Sequence, residues 1–126
     1  MPYVQIRLFS QHATNTAQLG EEATRLMADL MHKKREVTVV EVVTTQSAWH
    51  VNGKPVNGPA AYVDVKITRG TNSESDKSRL LEELQALLDR EMGPLAAPAY
   101  VVIHEIPATD WGYGGHSQAS RMSGQL

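Results

Sequence analysis

Apolar and polar residues alternate along Pro2-Tyr3-Val4-Gln5-Ile6-Arg7-Leu8 and again along Ala61-Tyr62-Val63-Asp64-Val65-Lys66-Ile67. A period of two marks a strand with one buried face, which groups Val4, Ile6 and Leu8 in one segment and Val63, Val65 and Ile67 in the other. A polar, turn-rich stretch follows each strand, at residues 10–16 and 69–75. The period then changes. Leu19, Ala23, Leu26, Met27, Leu30 and Met31 recur at helical spacing, and Leu80, Leu84, Leu87, Leu88 and Met92 repeat it. Each set predicts an amphipathic helix laying one apolar stripe on a sheet. Ser73 followed by Asp76 has the form of a capping box, and Gly93-Pro94 stops the second helix. Residues 37–43 and 100–105 are rich in β-branched side chains and predict a second strand after each helix.

The chain therefore reads as two copies of one β-α-β unit. Residues 1–53 form the first, 54–60 a linker loaded with turn formers, 61–116 the second, and 117–126 a tail, within one compact domain. Each copy closes similarly, with Trp49-His50-Val51-Asn52-Gly53 and with Trp111-Gly112-Tyr113-Gly114-Gly115. Crossovers of this length make the strands of each unit parallel. The expected fold is mixed α/β (α+β), a four-stranded sheet carrying both helices on one face. Its strands read as apolar enough to bury both faces, which predicts that the other face is covered by oligomerisation into a closed ring. The tail is expected to be ordered only by docking on a neighbouring subunit.

Composition narrows the chemistry. A chain of 126 residues buries roughly two thirds of its unfolded surface, so its core is modest. A net charge of −2 gives no electrostatic footprint for nucleic acid or anionic lipid. With no cysteine, disulfides, thiolate metal sites and cysteine nucleophiles are excluded. His12, His32, His50, His104 and His116 lack metal-ligand spacing. No apolar run approaches the ~20 residues of a membrane span, and the alternating N-terminal segment does not read as a secretory leader. A cytoplasmic protein is expected. The basic run His32-Lys33-Lys34-Arg35 is read as cations favoured at a helix C-terminus rather than as a polyanion site.

Pro2 offers two readings. Proline suits a strand start, where its missing N–H is not needed. If Met1 is removed, it also offers a free secondary amine, whose pKa of about 8 falls toward neutrality in apolar surroundings. A base so tuned suits proton abstraction next to a carbonyl. The initial Met-Pro, the β-α-β units, the loop segment Ile67-Thr68-Arg69-Gly70 and the tail Asp110-Trp111-Gly112-Tyr113-Gly114 together resemble the tautomerase superfamily. That superfamily includes 4-oxalocrotonate tautomerase, macrophage migration inhibitory factor, 5-carboxymethyl-2-hydroxymuconate isomerase and malonate semialdehyde decarboxylase.

The resemblance implies a homotrimer of fused copies and cofactor-free proton transfer within an enol or unsaturated 2-oxo acid. It implies Pro2 as catalytic base, Arg69 as the fork for a substrate carboxylate, and Trp111 as an apolar wall, with Tyr113 and His12 as further candidate substrate-binding residues. Each also has a plainer reading: Arg69 as a solvated loop residue, Trp111 as packing, Tyr113 as a hairpin or subunit contact, His12 as a surface group. Thr71 stands where many members carry a second arginine, His12 where the first loop would carry one, and Thr38 and Tyr100 where a strand arginine would lie. One arginine fits a monocarboxylate. The alternatives are decarboxylation, hydration or dehalogenation of a three-carbon acid with Pro2 as general acid, and a non-catalytic trimeric binding protein.

Overall fold

The computed structural model describes residues 2–124. The first copy contributes β1 (Tyr3–Phe9), α1 (Thr16–Met31), a 3-10 turn at Arg35–Val37, β2 (Val39–Thr44) and the short β3 (His50–Val51) and β4 (Lys54–Pro55). The second contributes β5 (Ala60–Thr68), α2 (Glu74–Met92), β6 (Tyr100–Ile106), β7 (Gly112–Tyr113), β8 (His116–Ser117) and α3 (Gln118–Met122). The 3-10 turn takes the beginning of what the β-branched run predicts as strand, so β2 starts at Val39.

Sheet order is β2-β1-β5-β6. The outer pairs β1–β2 and β5–β6 are parallel, and the two copies meet through antiparallel β1 and β5. Their register sets Val4 against Val65 and Ile6 against Val63, so the apolar faces of both strands coincide. A one-residue slip would turn every one of these side chains to the other face, which is why this register is held. Val4, Ile6, Val63, Val65 and Ile67 are all fully buried.

Both helices lie on that face. Leu19, Ala23, Leu26, Met27 and Met31 of α1 pack with Leu80, Leu84, Leu87 and Leu88 of α2 in one core. Asn15 caps α1 by accepting from the Gln18 N–H at 3.0 Å. The Ser73–Asp76 capping box of α2 is formed in both directions, and Gly93 ends the helix at φ 76°.

The opposite face is mixed in polarity rather than apolar throughout as the sequence predicts. Tyr3 and Gln5 donate to Glu41 there, and Tyr62 and His104 engage Asp64 at 2.9 and 2.7 Å. The same face also carries exposed apolar side chains on the two outer strands, Val39 beside Tyr3 and Tyr100 beside Tyr62, 56% and 68% exposed. The C-terminal segment also differs from a tail awaiting a neighbour. Gln118–Met122 is helical and rests on its own chain, Gln118 N donating to Trp111 O at 2.9 Å and Ala119 N to Ala108 O at 2.8 Å. No described helix is long and apolar enough to cross a membrane.

Candidate active site

Pro2 precedes β1, an inner strand, at one end of the sheet, and its carbonyl accepts from the Val39 N–H at 3.3 Å. Having no N–H of its own, it loses no ladder bond by sitting there. It is buried. Because β1 and β5 are antiparallel, the start of β1 lies beside the end of β5, where Thr68 leads into Arg69.

The second copy's closing segment folds back over this corner. β7 and β8 pair with Gly112 opposite Ser117 and Tyr113 opposite His116. Glycine is required at 112: a Cβ there would stand 1.9 Å from the His116 carbonyl oxygen. The Trp111 indole Nε1 donates to Thr68 Oγ1 at 3.1 Å, which ties the hairpin to the end of β5. Arg121 of α3 holds the hairpin from behind, its guanidinium 3.7 Å from the centre of the Tyr113 ring and its Nη2 donating to the Tyr113 carbonyl at 2.9 Å.

Between these parts lies a cleft of about 450 Å³ lined by Pro2, Trp111 and Tyr113, together with Val37 and Val39. Its walls are predominantly apolar, and one carboxylate, Glu36, borders it. Three of the five candidate site residues thus come together. Arg69 does not line the cleft; it is exposed in the turn after β5 at the same end of the sheet, its N–H donating to Ile106 O at 2.8 Å. Nearby Glu105 is held below the ordinary glutamate range by its hydrogen bond from Lys77 against the opposing effect of burial, with Arg69 adding attraction. His12 lies at the far end of β1, a strand of seven residues and so roughly 23 Å long, in a separate cavity beside Thr44 and Thr45.

Residues 62–121, nearly half of the chain, match the family model described as "Tautomerase enzyme". The second copy is thus similar in sequence to the tautomerase family. No curated protein matched the sequence. Solved structures match along almost its whole length. A fused 4-OT, solved as a wild-type symmetric trimer, superposes with a TM-score of 0.83 at 18% identity, covering 94% of this chain and 98% of that one. Pt0534 inactivated by 2-oxo-3-pentynoate gives 0.82 at 18% identity with the same coverage. The macrophage migration inhibitory factor-like protein of Entamoeba histolytica gives 0.76 at 21%, covering 92% and 97%. At these identities the likeness is one of fold.

Glu36, Val37 and Val39 also line the cleft, and no local motif marks them as site residues. The repeat held a signal for them: a strand after α1 running parallel to β1 must begin beside Pro2, and Tyr3 does pair with Val39. Among the described residues no group of three or more His, Asp or Glu is placed to hold a metal ion.

Proposed function

We infer that the protein is a cofactor-independent tautomerase or isomerase that moves a proton within an enol or unsaturated 2-oxo acid. The observation that carries this reading is a buried Pro2 facing an apolar cleft closed by Trp111 and Tyr113. Removal of Met1, which lies outside the described residues, would make the Pro2 nitrogen a secondary amine. Apolar walls disfavour its charged form and draw its pKa down toward neutrality. The free amine then takes the proton of the enol hydroxyl, and the resulting ammonium returns it to carbon. Arg69, at the same end of the sheet, binds the substrate carboxylate as a guanidinium fork, while Trp111 and Tyr113 keep water from the exchanging proton.

The exposed apolar edges at Val39 and Tyr100 support a homo-oligomer, in this reading a closed trimer. His12, remote from the cleft of its own chain, can take part only as a residue lent to a neighbouring copy.

Glu36 supports a second reading. A carboxylate bordering the cleft favours a protonated amine, and with it general-acid chemistry such as decarboxylation or hydration of a short acid. Turnover of an enol of a 2-oxo monocarboxylic acid, followed by its ultraviolet absorbance across pH, separates the two. The base reading expects kcat/KM to rise to a plateau above the amine pKa and to fall at least ~100-fold in Pro2→Ala. A profile that falls with rising pH supports the acid, and a Pro2→Ala variant with full activity refutes both.

A further inference from the structure

Of the ion pairs among the described residues, Lys77–Glu105 alone has both side chains less than a third exposed, at 28% and 29%. Lys77 stands in the first turn of α2, where the helix dipole disfavours a cation. Glu105 stands near the end of β6, so the pair ties the start of the helix to the sheet. A residue placed against a local preference calls for a compensating role. Its surroundings supply one. Glu105 is followed by Ile106, whose carbonyl accepts from the Arg69 N–H at 2.8 Å, and the Glu105 carboxylate lies close enough to Arg69 to feel its charge.

The turn that carries Arg69 is held from several sides. Besides the bond to Ile106, Thr71 Oγ1 donates to the Thr68 carbonyl at 2.7 Å and accepts from Lys33 Nζ at 2.8 Å. Asn72 Nδ2 donates to the Met31 carbonyl at 3.0 Å. The Arg69 residue is nevertheless exposed and, among the described residues, has no carboxylate within 4.0 Å of its guanidinium. A guanidinium held beside a carboxylate ordinarily pairs with it. Here the carboxylate is already engaged. Lys77 donates to Glu105 and, against the opposing effect of burial and with help from the Gly70 N–H, holds it below the ordinary glutamate range.

We propose that Lys77 is a positioning residue for substrate binding: by engaging Glu105 it keeps this internal carboxylate off Arg69, so that the guanidinium stays available to the carboxylate of the substrate. The proposal rests on the reading in which Arg69 binds that carboxylate. Neither Lys77 nor Glu105 lines the Pro2 cleft, so the pair acts through Arg69 and not on the exchanging proton. Glu105 and the substrate are rivals of the same chemistry, and a rival on the same chain holds a high effective concentration. Removing Lys77 therefore weakens substrate binding, and removing Glu105 as well restores it.

The test uses the full chain with Lys77→Met, Lys77→Arg and the double variant Lys77→Met/Glu105→Gln. Pyruvate is titrated in while the Arg69 Nε–H resonance is followed, a readout that needs no turnover. In Lys77→Met the resonance is expected to shift before any pyruvate is added, as Glu105 takes the guanidinium. Affinity for pyruvate should then fall about fivefold, the upper range of an exposed ion pair. Lys77→Arg and the double variant should bind pyruvate within about twofold of the unaltered chain. In turnover of an enol monocarboxylic acid, Lys77→Met should raise KM by a similar factor and leave kcat unchanged, and KM for the methyl ester of that acid should not move. Should Lys77→Met fail to fold, Lys77→Gln takes its place under the same expectations.

An unchanged affinity for pyruvate in the Lys77 variant overturns the proposal. So does a weakened affinity with an unmoved Arg69 resonance, which marks a general field effect, and so does a loss that the double variant fails to restore. Pyruvate that never moves Arg69 in the unaltered chain refutes Arg69 as the carboxylate site, and the proposal with it, whatever Pro2 does. An inert Pro2 with the pyruvate series as expected refutes the proton-transfer reading and leaves the role of Lys77 standing.

Discussion

The bond from the Trp111 indole to Thr68 is the joint between the hairpin and the sheet, and breaking it from each side gives a quantitative test. Thr68 is 4% exposed, and its hydroxyl accepts the indole proton at 3.1 Å. Thr68→Val keeps the shape and β-branching that a strand position favours but leaves the half-buried indole N–H without its acceptor. Trp111→Phe leaves the Thr68 hydroxyl without its donor and removes some apolar area besides. A neutral hydrogen bond contributes about 1 kcal/mol net, and an orphaned buried partner is unfavourable by about 1–3 kcal/mol. Thr68→Val is therefore expected to destabilise by about 1–2 kcal/mol, a fall in Tm of roughly 3–8 °C for a chain of this size. Trp111→Phe should lose more. In the double variant neither orphan remains, so its loss should fall short of the sum of the singles by about 1 kcal/mol, measured from urea unfolding midpoints at constant slope. Losses that add to within ~0.3 kcal/mol would refute the joint, since additivity at that level marks sites that do not interact.

Other positions give independent checks. Gly112→Ala drives a Cβ into the His116 carbonyl and should open the β7–β8 hairpin, seen as a change in Trp111 fluorescence and loss of enol turnover with the helical circular dichroism kept. Leu84→Ala removes a side chain fully buried between α2 and the sheet and should destabilise by about 2–5 kcal/mol in chemical unfolding. Asp76 is held below the ordinary aspartate value by hydrogen bonds from Asn72 and from Ser73 N–H. Its contribution to stability is thus complete above the unfolded value of about 3.9 and is lost as pH falls through the lower folded value. Asp76→Asn should accordingly flatten the acid side of the stability–pH curve; an unchanged acid limb would show that the cap carries no such linkage.

The framework was legible because its signals are local and repeated. Val4-Ile6-Leu8 and Val63-Val65-Ile67 announce buried strand faces, the Leu and Met stripes announce helices, and a β-α-β unit read twice leaves few ways to join the sheets. Ser73 and Asp76 cap α2 as their spacing suggests. What escaped depends on contacts between distant residues. A five-residue helix such as Gln118–Met122 is too short to show a period, and it forms because Trp111 and Ala108 accept its first N–H groups. Arg121 reads as one cation in a polar tail until the hairpin brings the Tyr113 ring beneath it. The outer sheet face looked apolar because β2 and β6 are rich in valine, while the hydrogen bonds around Glu41 and Asp64 join residues far apart in sequence. Of the candidate site, Pro2, Trp111 and Tyr113 meet because the repeat aligns one strand's start with the other copy's closing segment. Arg69 and His12 lie outside that cleft for the same topological reason, one in the turn beyond it and one at the other end of β1.

The central claim is a reactive amine at Pro2 in an apolar cleft, and mass spectrometry tests it most directly. The protein is weighed intact before and after brief exposure to 2-oxo-3-pentynoate, across pH, and the modified peptide is mapped. The account predicts a chain lacking Met1, a single adduct on the Pro2 nitrogen, and a labelling rate that climbs with pH to a plateau near neutrality. Retained Met1, or an adduct at any residue but Pro2, would contradict it.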